Sequence, residues 1–162
     1  MIRENQLVVF NLDERFFALY LIVVEKVVNA VEITALPRAP ETVLGIINMH
    51  GQIIPVFNIR KRFCLPDREV RLKDQLIIAH TARYAVALLV DAVTGIIERT
   101  PQEITDPNTI LPVTEYVDGV VKLEDNMVLI HNLDTFLSLE EEASLKDALK
   151  EVQTEEEEFP AT

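Results

Sequence analysis

The side chains best suited to chemistry in this chain are His50, His80, His131, Cys64 and Asp91, and their spacing argues against a catalytic centre. Catalysis and metal binding both need groups that converge. The three histidines stand far apart, and none forms a pair of the H-E-x-x-H kind that sets two imidazoles on one helix face. Cys64 follows Phe63 in an apolar run with no histidine beside it, which fits a buried small hydrophobe better than an activated thiol. Asp91 ends the apolar stretch Leu88–Val90, as a phospho-acceptor would. A receiver domain, however, needs alternating strands and helices and further acidic residues, which the chain does not offer. The 4 glycines are scattered and build neither a G-x-G-x-x-G nor a P-loop pattern. The sequence predicts no enzyme, no metal and no cofactor.

The elements around these residues read mainly as strands. Leu7–Leu12 and Phe16–Val28 are rich in β-branched and aromatic residues, with Asp13-Glu14-Arg15 as the polar turn between them. Two prolines make Glu32–Pro40 a connection or an edge, and Pro40–Val43 looks like one helical turn. Two short strands then flank His50-Gly51, where glycine supplies positive φ at little cost. Asn58–Phe63 reads as a helical turn. A second series follows at Gln75–Thr81, Tyr84–Val90, Gly95–Arg99, Val117–Leu123 and Met127–Asn132. Beyond Asn132 the apolar spacing becomes helical, and the final glutamate run is too charged to pack.

Charge and composition narrow the class. The formal charge is −12, and residues 140–158 carry nine carboxylates against Lys146 and Lys150. One local basic patch runs through Arg60, Lys61, Arg62, Arg68, Arg71 and Lys73. An acidic chain with one such patch is a poor nucleic-acid binder. The longest apolar run, Phe16–Val24, is about half of the ~20 residues a membrane-spanning helix needs. The opening residues MIRENQ have no apolar core behind Arg3, so they do not read as a signal peptide. A lone Cys64 cannot form an internal disulfide. These features predict a cytoplasmic protein with no direct membrane insertion.

The stretch Gly45–Phe63 recurs without a gap 74 positions later as Gly119–Leu137. Gly45 aligns with Gly119, Ile53-Ile54 with Met127-Val128, Val56 with Ile130 and Asn58 with Asn132. Upstream, Leu7-Val8-Val9 aligns with Leu76-Ile77-Ile78. The repeat predicts two similar small β units, about 7–65 and 75–132, within one domain over residues 5–140, followed by an acidic helix and tail over 141–162. Exchange of terminal strands between the units stays open. Units this small need each other to be stable, and a groove between them is a natural partner site. Side chains alternate along Gly45–His50, so if Ile47 and Met49 fill the core then Asn48 and His50 face outward. Val24 to Val27 follow the long apolar strand and form a candidate exposed edge.

The segment Leu36–Pro40, LPRAP, followed by Val43, Gly45-Ile46-Ile47-Asn48, Gly51, Ile54-Pro55-Val56 and Ile59-Arg60, closely resembles the CheW family of chemotaxis coupling proteins. Val90-Asp91, Val93, Gly119-Val120 and Asn132-Leu133 add weaker support, and the likeness spans about residues 5–140. It implies an all-β fold of two five-stranded Src-homology-3-like barrels with short helices and a C-terminal helix. It also implies a non-enzymatic adaptor joining methyl-accepting chemoreceptors to a CheA-type histidine kinase in bacterial chemotaxis. Such an adaptor is a monomer when isolated and part of a receptor array at the membrane in the cell. By position, the kinase's regulatory domain would dock on Val24, Glu25, Lys26 and Gly45. The cytoplasmic tip of the receptor would lie in the groove between barrels near Asn48, His50 and Gly51. On that reading Gly45→Asp breaks kinase docking and leaves the fold intact. The other readings are the same role in a parallel chemosensory pathway, or a small-ligand-binding β-barrel.

Three positions depart from the family pattern. His50 stands where the family usually has Arg, which exchanges a fixed charge and bidentate donor for an imidazole. Lys26 takes a place where Glu is common, and the acidic extension after Glu140 is long.

Overall fold

A computed structural model describes residues 5–29, 32–63, 65–81, 84–106, 117–134 and 144–150. In chain order the elements are β1 (Gln6–Leu12), β2 (Arg15–Tyr20), β3 (Val24–Asn29), β4 (Val43–Met49), β5 (Gln52–Phe57), the short helix α1 (Ile59–Arg62), β6 (Gln75–His80), β7 (Ala85–Val90), β8 (Ala92–Glu98), β9 (Val117–Leu123) and β10 (Asn126–His131). Residues 144–150 are helical. Expectations that fall on Cys64, on residues 135–143 and on the tail from 151 lie outside the described residues.

Two five-stranded sheets form, in the orders β8-β1-β2-β10-β9 and β3-β6-β7-β5-β4. They are not built from consecutive halves of the chain. After β2 the chain leaves the first sheet so that β3 pairs antiparallel with β6 of the second. After β7 it leaves the second sheet so that β8 pairs with β1 of the first. The exchange explains why Phe16–Val28 is not one strand. It breaks at Leu21–Val23, a single 3-10 turn, and its two parts belong to different sheets.

The two sheets repeat each other in detail. β10 pairs in parallel with β2, and β5 pairs in parallel with β7. Gly45 lies opposite Val56, and Gly119 opposite Ile130. Thr34 bridges Ile46 as Thr105 bridges Val120, so in each sheet the segment ahead of the hairpin closes onto it. The bulges match as well. Glu25 is skipped between Val24 and Lys26 in the β3–β6 register, and Thr94 between Val93 and Gly95 in the β8–β1 register.

Both faces of the central strands are buried, and this accounts for their unbroken apolar runs. Leu7, Val9 and Ala18 join Val121, Val128 and Ile130 inside the first barrel. Leu76, Ile78 and Ala87 join Ile47, Ile54 and Val56 inside the second. The intervening residues point the other way. Phe10, Phe17 and Leu19 meet Phe57, Ile77, Leu88 and Ile59 in a third cluster, which also takes in Leu36, Leu133, Leu145 and Ala148. Apolar burial of this kind draws the two barrels together without setting their angle. Pro40–Val43, expected as a helical turn, is a tight turn closed by the Val43 amide on the Pro40 carbonyl at 2.9 Å.

Candidate functional site

Strand β3 is an edge. Among the described residues its only strand partner is β6, which leaves the backbone donors and acceptors of its other side without a strand partner there, the usual material for strand-to-strand docking. Val24 is half-buried against the cluster between the barrels, the bulged Glu25 is exposed, and Lys26 is half-buried. Glu25 sits 3.9 Å from Nδ1 of His80 on the neighbouring strand. Sequence reasoning included Val27 in this edge and missed Ile22, which reads as interior in an apolar run. Ile22 is 61 % exposed and Val27 37 % exposed. The alternation of β3 carries the signal for Val27, since Val24, Lys26 and Val28 turn inward together.

Gly45 is placed differently from the expectation. It is buried, and a Cβ there would meet the Thr34 carbonyl oxygen at 2.2 Å and Ile33 Cγ2 at 2.9 Å. The glycine is needed so that the Thr34 backbone can close the second barrel. Gly45→Asp would damage the fold rather than remove one contact, so the expectation of an intact fold is corrected.

Asn48, His50 and Gly51 form the tip of the β4–β5 hairpin. Met49 pairs with Gln52, which leaves His50-Gly51 as a two-residue turn. Both have positive φ, 53° and 88°, as a type I′ turn requires. Asn48 is exposed, and its Oδ1 accepts the Gly51 amide at 2.8 Å. Its first task is therefore to hold the turn that displays His50. The equivalent turn between β9 and β10 places Glu124 at φ 55°.

The space between the barrels is filled over the described residues by the Phe10–Phe57–Leu88 cluster. Among the described residues, an open concavity lies on the flank of the first sheet. A groove of about 420 Å³ is lined by Glu14, Arg15, Phe16, Phe17, Val120, Asn126, Met127 and Leu129, away from the His50 turn.

The basic patch of the sequence also resolves differently. Arg60 is 6 % exposed. Its Nη1 donates to Asp13 Oδ2 at 3.0 Å and its Nη2 to Asp91 Oδ1 at 2.6 Å. Arg68 makes a two-pronged pair with Asp74, at 2.9 and 2.7 Å, and also reaches Asp91 Oδ1. The remaining oxygen of Asp91 accepts the Asp13 amide at 2.6 Å. Burial pushes the Asp91 carboxyl up, but the Asp13 amide and the two guanidiniums outweigh it and hold it below the ordinary value. Burial likewise pushes Asp74 up, and Arg68 and the Arg71 amide bring it down. The bonds to Asp74 and then Asp91 hold Arg68 protonated. Two of the six basic residues are thus internal ties, not a surface for phosphate. Asp91, read as a phospho-acceptor look-alike, is saturated by them. Among the described residues no His, Cys, Asp and Glu group suited to a metal occurs.

The family model for the CheW-like domain matches residues 6–141. The chain belongs to the CheW-like family. Its curated relatives include the chemotaxis protein CheW of Thermotoga maritima, 28% identical over 148 residues that make up 91% of this chain and 95% of the relative. The CheW of Rhizobium meliloti is 29% identical over 85% of this chain and 90% of its own. Among solved structures, the scaffolding protein TtCheW from Thermoanaerobacter tengcongensis superposes with a TM-score of 0.77 at 34% identity, over 85% of this chain and 90% of that one. The two five-stranded sheets are the fold that a CheW-like chain is expected to have.

Proposed function

We propose that this chain is a non-enzymatic adaptor in bacterial chemotaxis signalling that couples methyl-accepting chemoreceptors to a CheA-type histidine kinase. The observation that carries this reading is the open, bulged edge strand β3, with Glu25 and Val27 outward, on a CheW-like double barrel. The kinase's regulatory domain docks on this edge, through Val24, Glu25 and Lys26 together with the exposed Ile22 and Val27. Gly45 contributes by shaping the barrel behind the edge and makes no side-chain contact. The receptor tip is read by the β4–β5 turn, whose Asn48, His50 and Gly51 are exposed.

β8 is the counterpart of β3. Ile96 faces Val8 as Val27 faces Ile77, and Ile96 is 57 % exposed. An adaptor with two like edges can join two partners, and assembly of this kind raises avidity beyond the strength of either contact. The chain acts as a monomer that is drawn to receptor clusters at the membrane. No helix among the described residues is long and apolar enough to cross a membrane, so recruitment runs through the receptor.

Reconstitution tests the reading. Purified kinase and receptor tips should show receptor-controlled kinase activity only when the chain is added. Activity that is unchanged by the chain contradicts it. His50 favours a second reading, in which the cognate receptor belongs to a parallel chemosensory pathway. Receptor tips from each pathway, tried in the same assay, separate the two.

A further inference from the structure

Asp91 occupies the point where the chain passes from one barrel to the other, between β7 and β8. Its amide and both carboxylate oxygens are engaged, and their partners are shared between the barrels. Its amide donates to the Asn11 carbonyl at 3.1 Å and its Oδ2 accepts the Asp13 amide at 2.6 Å, both in the β1–β2 hairpin of the first barrel. Its Oδ1 accepts from Arg60, in α1, and from Arg68, in the segment between α1 and β6 of the second barrel. Arg60 then reaches back across to Asp13 at 3.0 Å. The other crossing, Leu21–Val23, contains no charged residue.

The apolar cluster between the barrels is non-directional and tolerates sliding. Planar guanidinium forks on carboxylates are directional. Polar ties of this kind are best attested as devices that fix register.

We propose that Asp91, with Arg60 and Asp13, is a positioning node that fixes the angle between the two barrels. It thereby sets where β3 and β8, the like open edges of the two barrels, lie relative to each other. The consequence for partners rests on the adaptor reading above, whereas the consequence for barrel geometry does not. Removing the node leaves each edge able to bind its partner alone and weakens complexes that need both edges at once.

Asp13→Asn is the cleanest probe. Asp13 has φ 56° and a side chain 43% exposed, asparagine tolerates that conformation, and Arg60 and Arg68 keep Asp91 and Asp74 for charge balance. Arg60→Lys is the second variant, since it keeps the charge and loses the fork. Residual dipolar couplings measured on the full chain report the angle between barrels directly. In the wild type one alignment frame should fit both barrels, and in each variant the two should need different frames while amide shifts inside each barrel stay in place. One common frame with an unchanged angle in both variants overturns the proposal.

The binding arm measures the kinase regulatory domain alone, the receptor tip alone, and the complex of all three. β3 and the His50 turn lie on the same barrel, so all three affinities should hold within about twofold in both variants. A loss of about tenfold in any of them shows that the node supports the second barrel's own structure and overturns the positioning claim. If the wild type binds neither partner, the adaptor reading fails, and the alignment frames still decide the node.

Discussion

Gly45 lies against the Thr34 carbonyl so closely that a Cβ would stand 2.2 Å from its oxygen, and Gly119 holds the matching place beside Ile104 and Thr105. The two glycines are the same structural device used twice. Each lets the segment ahead of a hairpin close a small barrel.

The device predicts unequal costs. At Gly45 the obstacle is backbone, which cannot yield without opening the Thr34–Ile46 bridge. At Gly119 the nearest atom is Ile104 Cγ2 at 2.4 Å, a side-chain methyl rather than backbone. Gly45→Ala should cost about 3 kcal/mol or more and Gly119→Ala about 1–2 kcal/mol, by the usual scale of overpacking. Urea unfolding of the two variants checks the order, and equal costs contradict the account.

The ion network predicts an acid limit to stability. Asp74 and Asp91 have folded pKa values below their ordinary ones. On acidification the unfolded chain therefore takes up these protons first. Their contribution is present above the ordinary carboxylate value of about 4 and fades as pH falls through the lower folded values. The urea midpoint should drop between about pH 5 and pH 3. Arg68→Gln, which removes the guanidinium from both carboxylates, should flatten that dependence. A wild-type slope retained in Arg68→Gln would point to other carboxylates.

The hairpin tip predicts two opposite effects. Asn48→Ala loses the 2.8 Å bond to the Gly51 amide and should destabilise by about 1 kcal/mol, the net worth of an ordinary hydrogen bond. His50→Gly relieves a side chain held at φ 53° and should be neutral or stabilise by up to about 1 kcal/mol. Thermal unfolding distinguishes them. A loss at both positions means that the His50 ring itself packs on the barrel.

Much of the fold was legible because it rests on local signals. The hairpin around His50-Gly51 and its recurrence at Glu124-Asp125 follow from apolar pairs flanking a turn. The two-sheet architecture follows from the order of elements preserved between the halves. The strand exchange was not legible. Phe16–Val28 is apolar on both sides of Leu21–Val23, and an apolar run does not show that its two parts enter different sheets. Nor was the ion network, since Arg60 meets Asp13 at a separation of 47 residues and Asp13 meets Asp91 at 78. Read along the chain, Arg60 and Arg68 belong to a basic patch. In space they neutralise carboxylates brought in from other elements. For the candidate site, the edge β3 was found from its position after a long strand. Gly45 was misjudged because the chain does not show that Thr34 lies against it.

The proposed docking edge is open to one direct measurement, co-elution of the kinase regulatory domain with the full chain carrying Val27→Asp. Val27 faces outward from an edge strand, so the barrels should fold with an unchanged circular dichroism spectrum. The account predicts that this variant loses kinase co-elution in gel filtration, while Leu72→Ser, at a site 96 % exposed but remote from the edge in the chain, retains it. Full co-elution of the Val27→Asp chain would contradict the assignment of β3 as the kinase-docking edge.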